Sequence, residues 1–435
     1  MRILIQNGQV IDPVFSTMTP ADIFIENGIV GEIGRELRVV ADKTIDASGM
    51  IVAPALVDMH VHLRDPGQTK KEDIASGSAS AIRGGVGTVA CMPNTLPSVD
   101  CPEIVSYVKE KSKEAGNARV MPIAAVSQGQ KGKELTDFAA LKESGAVAVS
   151  DDGFNIDNAA LMRAAMVKAK EVGLPILCHC EDSSLALNHA VNEGDISRKL
   201  WMDGRPAIAE ELVVMRDVML SEETGAPVHI CHVSTGKSVD IIRKAKKAGI
   251  PVTCETCPQY FSLSEEEILS QGTLARVNPP LRTKKDVRAI VNGLKDGTID
   301  VIASDHAPHT AEEKARSLNR APSGIVGLET LLSLSLTYLY HSGKVYLPQL
   351  FHMLSSKPAA ILGVDGGRIA VGKSADIVIF HLSQEWAVNP DVFLSKGKNS
   401  PYRDFVLKGR VKYTIVEGKV LHSEGPQVPS EVSPE

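Results

Sequence analysis

The chain has 435 residues, 43% of them hydrophobic and 23% charged, with a formal net charge of −6. That balance is that of an ordinary globular protein, with room for one large domain and an appendage or for two to three average domains. It excludes nucleic acid and an anionic membrane as main partners.

No run reaches the roughly 18 uninterrupted apolar residues of a membrane helix. The opening Met1-Arg2-Ile3-Leu4-Ile5 is broken by Gln6, Asn7 and Gly8 before it could serve as a secretion signal. Seven cysteines, an odd number spread through apolar segments, point to buried thiols in a reducing compartment, so the expected location is the cytoplasm.

In chain order, the first 50 residues hold short strand patterns that end in Asn-Gly turns, Ile3-Leu4-Ile5-Gln6-Asn7-Gly8 and Ile23-Phe24-Ile25-Glu26-Asn27-Gly28. Residues 366–422 return to the same pattern, with Asp376-Ile377-Val378-Ile379-Phe380 and Tyr413-Thr414-Ile415-Val416-Glu417-Gly418-Lys419-Val420. We read these as two halves of one small accessory β-sandwich. The tail 423–435 is rich in Pro, Ser and Glu and is expected to be disordered.

Between the halves, residues 51–365 alternate apolar strand-like runs with helical periodicity. Strands are predicted over 52–62, 87–92, 120–126, 146–150, 175–180, 227–233, 251–255 and 300–304, with helices such as 158–172 and 238–248 between them. Near-continuous apolar strands are buried on both faces, and eight β-α units make a (β/α)8 TIM barrel. A doubly wound open sheet competes, but no G-x-G-x-x-G turn follows the first strand. The basic run Arg243-Lys244-Ala245-Lys246-Lys247 reads as a solvated helix face. Cys254 and Cys257 form a C-x-x-C pair whose thiols a strand would point to opposite faces.

Active sites of such barrels lie at the C-terminal ends of the strands. The first strand ends in His60 and His62, two apart and so on one face. The second runs into Pro93-Asn94-Thr95, the fourth ends in Asp151-Asp152-Gly153, the fifth in His179, the sixth in His232 and the eighth in Asp305-His306-Ala307-Pro308-His309. Nitrogen and carboxylate donors without thiolate suit zinc or another divalent transition ion in an open site. Six candidate ligands exceed one tetrahedral ion. A binuclear pair sharing a carboxylate accounts for them, and either Asp151 or Asp152 could be the bridge. Alternation turns Cys178, Cys180 and Cys231 outward to pack against helices. His229, three residues before His232, is likewise assigned to packing.

The segments His60-Val61-His62-Leu63-Arg64-Asp65-Pro66-Gly67, Met92-Pro93-Asn94-Thr95, Ser150-Asp151-Asp152-Gly153, His232-Val233-Ser234-Thr235, Val277-Asn278-Pro279-Pro280-Leu281-Arg282 and Ser304-Asp305-His306-Ala307-Pro308-His309 resemble the amidohydrolase superfamily. Within it they are most similar to the type I dihydroorotases, over nearly the whole chain. The resemblance implies one or two zinc ions per subunit, with His60, His62 and Asp305 on one metal, His179 and His232 on the other, and Asp152 bridging. It places substrate contacts on His62, Arg64, Asn94, Asn278 and His309, with backbone from Ser323 and Gly324.

The reaction implied is reversible cyclisation of N-carbamoyl-L-aspartate to L-dihydroorotate and water in de novo pyrimidine biosynthesis. A metal-bound hydroxide is its nucleophile and Asp305 its proton carrier. A homodimer, and association with aspartate carbamoyltransferase, are expected. Hydantoinases and allantoinases share the layout but bridge with a carboxylated lysine, where this chain has Asp152. A non-catalytic subunit of a carbamoyltransferase complex would tolerate loss of ligands, and none is missing. The polar loop 310–322, directly after His309, is expected to act as a flap over the site.

Overall fold

The computed structural model describes residues 1–187 and 189–424, so the tail expected from residue 423 lies outside the described residues from 425 onward. Eight parallel strands pair in sequence order: β1 (Leu56–Val61), β2 (Val86–Cys91), β3 (Arg119–Ala125), β4 (Ala148–Ser150), β5 (Ile176–Cys178), β6 (Val228–Ile230), β7 (Val252–Thr256) and β8 (Val301–Ile302). The barrel closes where Val61 bridges His306 and the His62 N–H donates to the His306 carbonyl at 2.8 Å. The (β/α)8 architecture and its accessory sheet are as the sequence predicts.

Helices start and stop where the chain supplies caps. Asn158 accepts from the Ala160 and Leu161 amides ahead of Ala159–Val172, and Gly173, at φ +66°, ends that helix in the left-handed conformation. Thr235 caps Gly236–Lys247 by accepting from Ser238 N. Inside the barrel, Val57, Met59, Ala90, Ile123, Leu177 and Val301 pack together and plug the floor beneath the strand ends.

The strand predicted over 52–62 is in fact two. Ile51–Pro54 pairs antiparallel with residues 377–380, whereas Leu56–Val61 enters the barrel beside β2. Pro54 has no N–H to continue a ladder, and at the junction the Ala55 amide turns away to the Asp376 carbonyl at 3.0 Å. Several barrel strands are also shorter than predicted at their C-terminal ends. There the backbone leaves the ladder at His232 (φ +34°) and Asp305 (φ +48°).

Strands from both termini form one hydrogen-bonded sheet, in the order Lys419–Ser423, Val406–Val416, Ile377–Ala387, Ile51–Pro54, Arg2–Asp12, Thr17–Glu26 and Ile29–Gly34, with Lys43–Asp46 also on Arg2–Asp12. It curls over a core of its own that includes Ile5, Ile23, Ile45, Val52, Ile377 and Ile415. Among the described residues no helix is long and apolar enough to cross a membrane. All seven cysteines are free thiols. Cys254 and Cys257 are both buried, the first donating to the Thr298 carbonyl.

Candidate metal centre and active site

The barrel mouth gathers the predicted ligands into two adjacent groups, His60–His62–Asp305 and Asp152–His179–His232, each with donor atoms within 4.8 Å of one another, and His60 and Asp152 also group with Cys231. Asp152 belongs to both sides. Its Oδ2 lies 3.5 Å from Nε2 of His60 and of His62, and its Oδ1 lies 3.2 Å from His179 Nδ1 and from His232 Nε2. Asp305 Oδ1 faces His62 Nε2 at 3.2 Å and His60 Nε2 at 3.6 Å. Asp151 is excluded as a bridge: it points away and accepts from the Val126 and Ser127 amides and the Ser127 hydroxyl.

The donor set fits one or two divalent cations. His60 Nε2 is fully buried with no hydrogen-bond partner, and His179 Nδ1 and His232 Nε2 converge to 2.9 Å beside Asp152 Oδ1. Burial works against charge on His60, yet Asp152 and Glu255 outweigh it and hold the imidazole protonated well above the usual histidine range. His179 is pushed up to about 10, burial opposing but Asp152 and Glu181 prevailing. Asp152, although buried, is held well below the ordinary carboxylate range by the three histidines around it. The pocket demands positive charge, which a divalent ion supplies.

Several supporting groups escape a reading of the sequence. Glu255, fully buried on β7, accepts from His60 Nδ1 at 2.5 Å and contacts His229 Nε2 at 3.3 Å, so His229 belongs to a polar layer directly beneath the ligands rather than to plain packing. Glu255, the one charged residue of Val252–Thr256, was the available signal. Cys178 and Cys180 do pack outward with the helices, but Cys231 does not: it lies inside the barrel beside His60. The positive φ at His232 breaks the two-residue alternation, so the neighbours Cys231 and His232 both face inward. His306 turns to Glu72 at 3.3 Å and accepts from Gly327 N.

A cavity of about 390 Å3 above the ligands is lined by His62, Arg64, Asn94, Asn278, His309, Ser323 and Gly324 among others, so the predicted substrate contacts share one space with the predicted ligands. Asn94 Oδ1 accepts from His62 Nδ1 at 2.9 Å and fixes that ring. Arg64, nearly buried at φ +61°, donates through Nε to the Pro308 carbonyl at 3.3 Å, has Nη2 3.4 Å from His309 Nε2, and lines the cavity. Burial lowers its guanidinium only to about 10, so it stays charged. His309 is pushed down to about 2 by burial and by Arg64, and is therefore a neutral hydrogen-bonding ring whose Nε2 donates to the Ser323 carbonyl at 2.8 Å.

Asn278 sits on the outer wall, held by Arg205, which also pairs with Glu181 at 2.6 Å. The loop after His309 contains a short helix, Ala311–Lys314, whose Lys314 is buried and donates to the Pro322 and Gly324 carbonyls at 3.0 and 3.1 Å. Asn399 completes the seam, donating to the Ala307 and Gly324 carbonyls and accepting from His309 N.

Comparison with known proteins agrees with this geometry. The family described as "Dihydro-orotase-like" matches residues 49–238. A dihydroorotase from Acetivibrio thermocellus is 48% identical over 421 residues, covering 97% of this chain and 99% of that protein. One from Aquifex aeolicus is 45% identical over 424 residues, covering 98% and 100%. Among solved structures, L-hydantoinase (dihydropyrimidinase) from Arthrobacter aurescens superposes with a TM-score of 0.87 at 26% identity, over 97% of this chain and 96% of that one.

Proposed function

The chain belongs to the dihydroorotase family, and on that premise we propose that it interconverts N-carbamoyl-L-aspartate and L-dihydroorotate in pyrimidine biosynthesis. The observation that carries the reading is the single cavity in which the Arg64 guanidinium stands beside two His/Asp groups joined by Asp152. That pairing suits a small cyclic amide bearing one carboxylate.

In this reading His60, His62 and Asp305 would hold one zinc ion and His179 and His232 a second, with Asp152 available to both. Bound there, zinc supplies Lewis acidity toward the amide carbonyl and lowers the pKa of water. Arg64 binds the substrate carboxylate as a bidentate donor. Neutral His309, Asn94, Asn278 and the Ser323–Gly324 backbone orient the ring edges, and His62 borders the reacting carbonyl. Asp305 accepts a proton from the attacking water and passes it to the departing ring nitrogen; in ring closure it runs the same path backwards. Glu255 and Asn94, each on the far nitrogen of a histidine, keep both Nε2 atoms aimed inward.

Seven free thiols support a cytoplasmic location. Ile208, Leu212, Met215 and Met219, all exposed along one face of Ile208–Thr224, support self-association as a homodimer or contact with an aspartate carbamoyltransferase. The test is ring opening of L-dihydroorotate, followed by its ultraviolet absorbance, with metal content measured on the same sample. Turnover abolished by a chelator and restored by zinc is expected. Turnover of hydantoin or allantoin instead would overturn the substrate assignment.

A further inference from the structure

Beside the metal pocket lies a second cavity of about 420 Å3 that shares Gly153, Asn278, Pro322 and Ser323 with it. The shared wall makes it the vestibule of the site. Its charged lining is Arg205, Arg276, Arg316 and Arg320 against Glu181 and Glu313. Both carboxylates are already matched, Glu181 by Arg205 at 2.6 Å and Glu313 by Lys71 at 3.0 Å. Arg276 is turned inward onto the Ser323 hydroxyl and the Leu318 carbonyl, shaping the loop. Arg316 and Arg320 project from that loop as exposed guanidinium groups with no carboxylate at ion-pair distance among the described residues, Arg316 acting on Glu313 only through space. On a chain with a net charge of −6, the mouth is a local patch of the opposite sign.

We propose that Arg316 and Arg320 form an anion-capture site at the mouth that discriminates by charge, holding the open dicarboxylate more strongly than the cyclic monocarboxylate. The inference rests on the dihydroorotase reading. N-carbamoyl-L-aspartate carries two ionised carboxylates at neutral pH, and closing the ring consumes one of them. The same potential acts on both compounds, so the dianion gains twice the free energy of the monoanion. The reaction equilibrium fixes the ratio of kcat/KM in the two directions, so the discrimination is legible in the KM values.

The experiment uses the zinc-loaded full chain and the double variant Arg316→Gln/Arg320→Gln, measured in both directions over a range of salt. In the variant at low salt, KM for N-carbamoyl-L-aspartate should rise about tenfold and that for dihydroorotate about threefold, the first being the square of the second. kcat/KM should fall by one common factor in both directions. The difference in KM should vanish near about 0.5 M salt, where screening is effective within a few ångströms. Arg316→Lys/Arg320→Lys, which keeps the charge, should stay close to the parent. Equal rises in the two KM values, no rise, or a difference that survives high salt would overturn the capture site while leaving the dihydroorotase reading intact. Failure of the parent protein to turn over either compound would remove both.

Discussion

Glu255→Gln is the substitution that isolates the support of the metal centre from the ligands themselves. Glu255 is fully buried, and its carboxylate is shared between His60 Nδ1 at 2.5 Å and His229 Nε2 at 3.3 Å. Glutamine keeps the shape: its oxygen can accept from His60, and its amide can donate to His229, whose other nitrogen faces Thr253 Oγ1 at 2.9 Å. The packing therefore survives, and what is lost is the charge that makes His60 a strong donor. A hydrogen bond to a charged group contributes about 1.5–3 kcal/mol. At 1.4 kcal/mol per decade that is about a 10- to 100-fold weakening of metal binding, matching the usual effect of removing a carboxylate behind a ligating histidine. The assay is metal retained against a graded chelator, with turnover followed as zinc is added back. Turnover should return at high zinc, because the ligands are intact. Retention equal to the parent would refute the idea that Glu255 orients and strengthens His60.

Asp305→Asn should fold and lower kcat by about 10²- to 10⁴-fold at saturating zinc, the usual range for loss of a proton carrier; a drop below about tenfold would take Asp305 out of the proton path. Arg64→Met should raise KM for dihydroorotate by about 10- to 100-fold, from loss of about 1.5–3 kcal/mol of charged hydrogen bonding, and affect kcat less. Burial, then Arg276, pushes the Lys314 amine from 10.5 down to about 7, with Glu313 opposing. Because the folded pKa is depressed, the unfolded chain binds the extra proton between these values: the penalty is complete below about 7 and gone above about 10.5. Amide exchange over 311–324, corrected for its intrinsic pH dependence, should slow as pH rises through that window, and the trend should flatten in Lys314→Met. If exchange there is equally slow with and without substrate, the loop is not a flap.

The clustering of the candidate ligands was largely legible because most of them obey simple alternation. His60 and His62 are two apart on a strand, and His179 follows a strand whose flanking Cys178 and Cys180 pack outward as alternation requires. The reading failed where the backbone departs from the strand. At His232 the positive φ puts two consecutive side chains inside, which no period of two describes, so Cys231 was misplaced. Asp151 and Asp152 were inseparable by spacing because the strand stops at Ser150, and only the hydrogen bonds of Asp151 to residues 126 and 127 settle its direction. Arg205 lies in irregular chain and meets Glu181 and Asn278 through tertiary packing alone, so no local pattern announces it.

Arg64, His232 and Asp305 all hold left-handed backbone angles that few non-glycine residues adopt, Asp and His being among the more tolerant. Each such residue stores on the order of 1–3 kcal/mol, repaid by the surrounding fold. Glycine at any of the three would relax the chain while deleting a group that the proposed chemistry uses. Thermal robustness and catalysis therefore pull in opposite directions at these positions. A search for hardier variants scored only by melting temperature would drift toward a sturdier barrel that has lost its reaction.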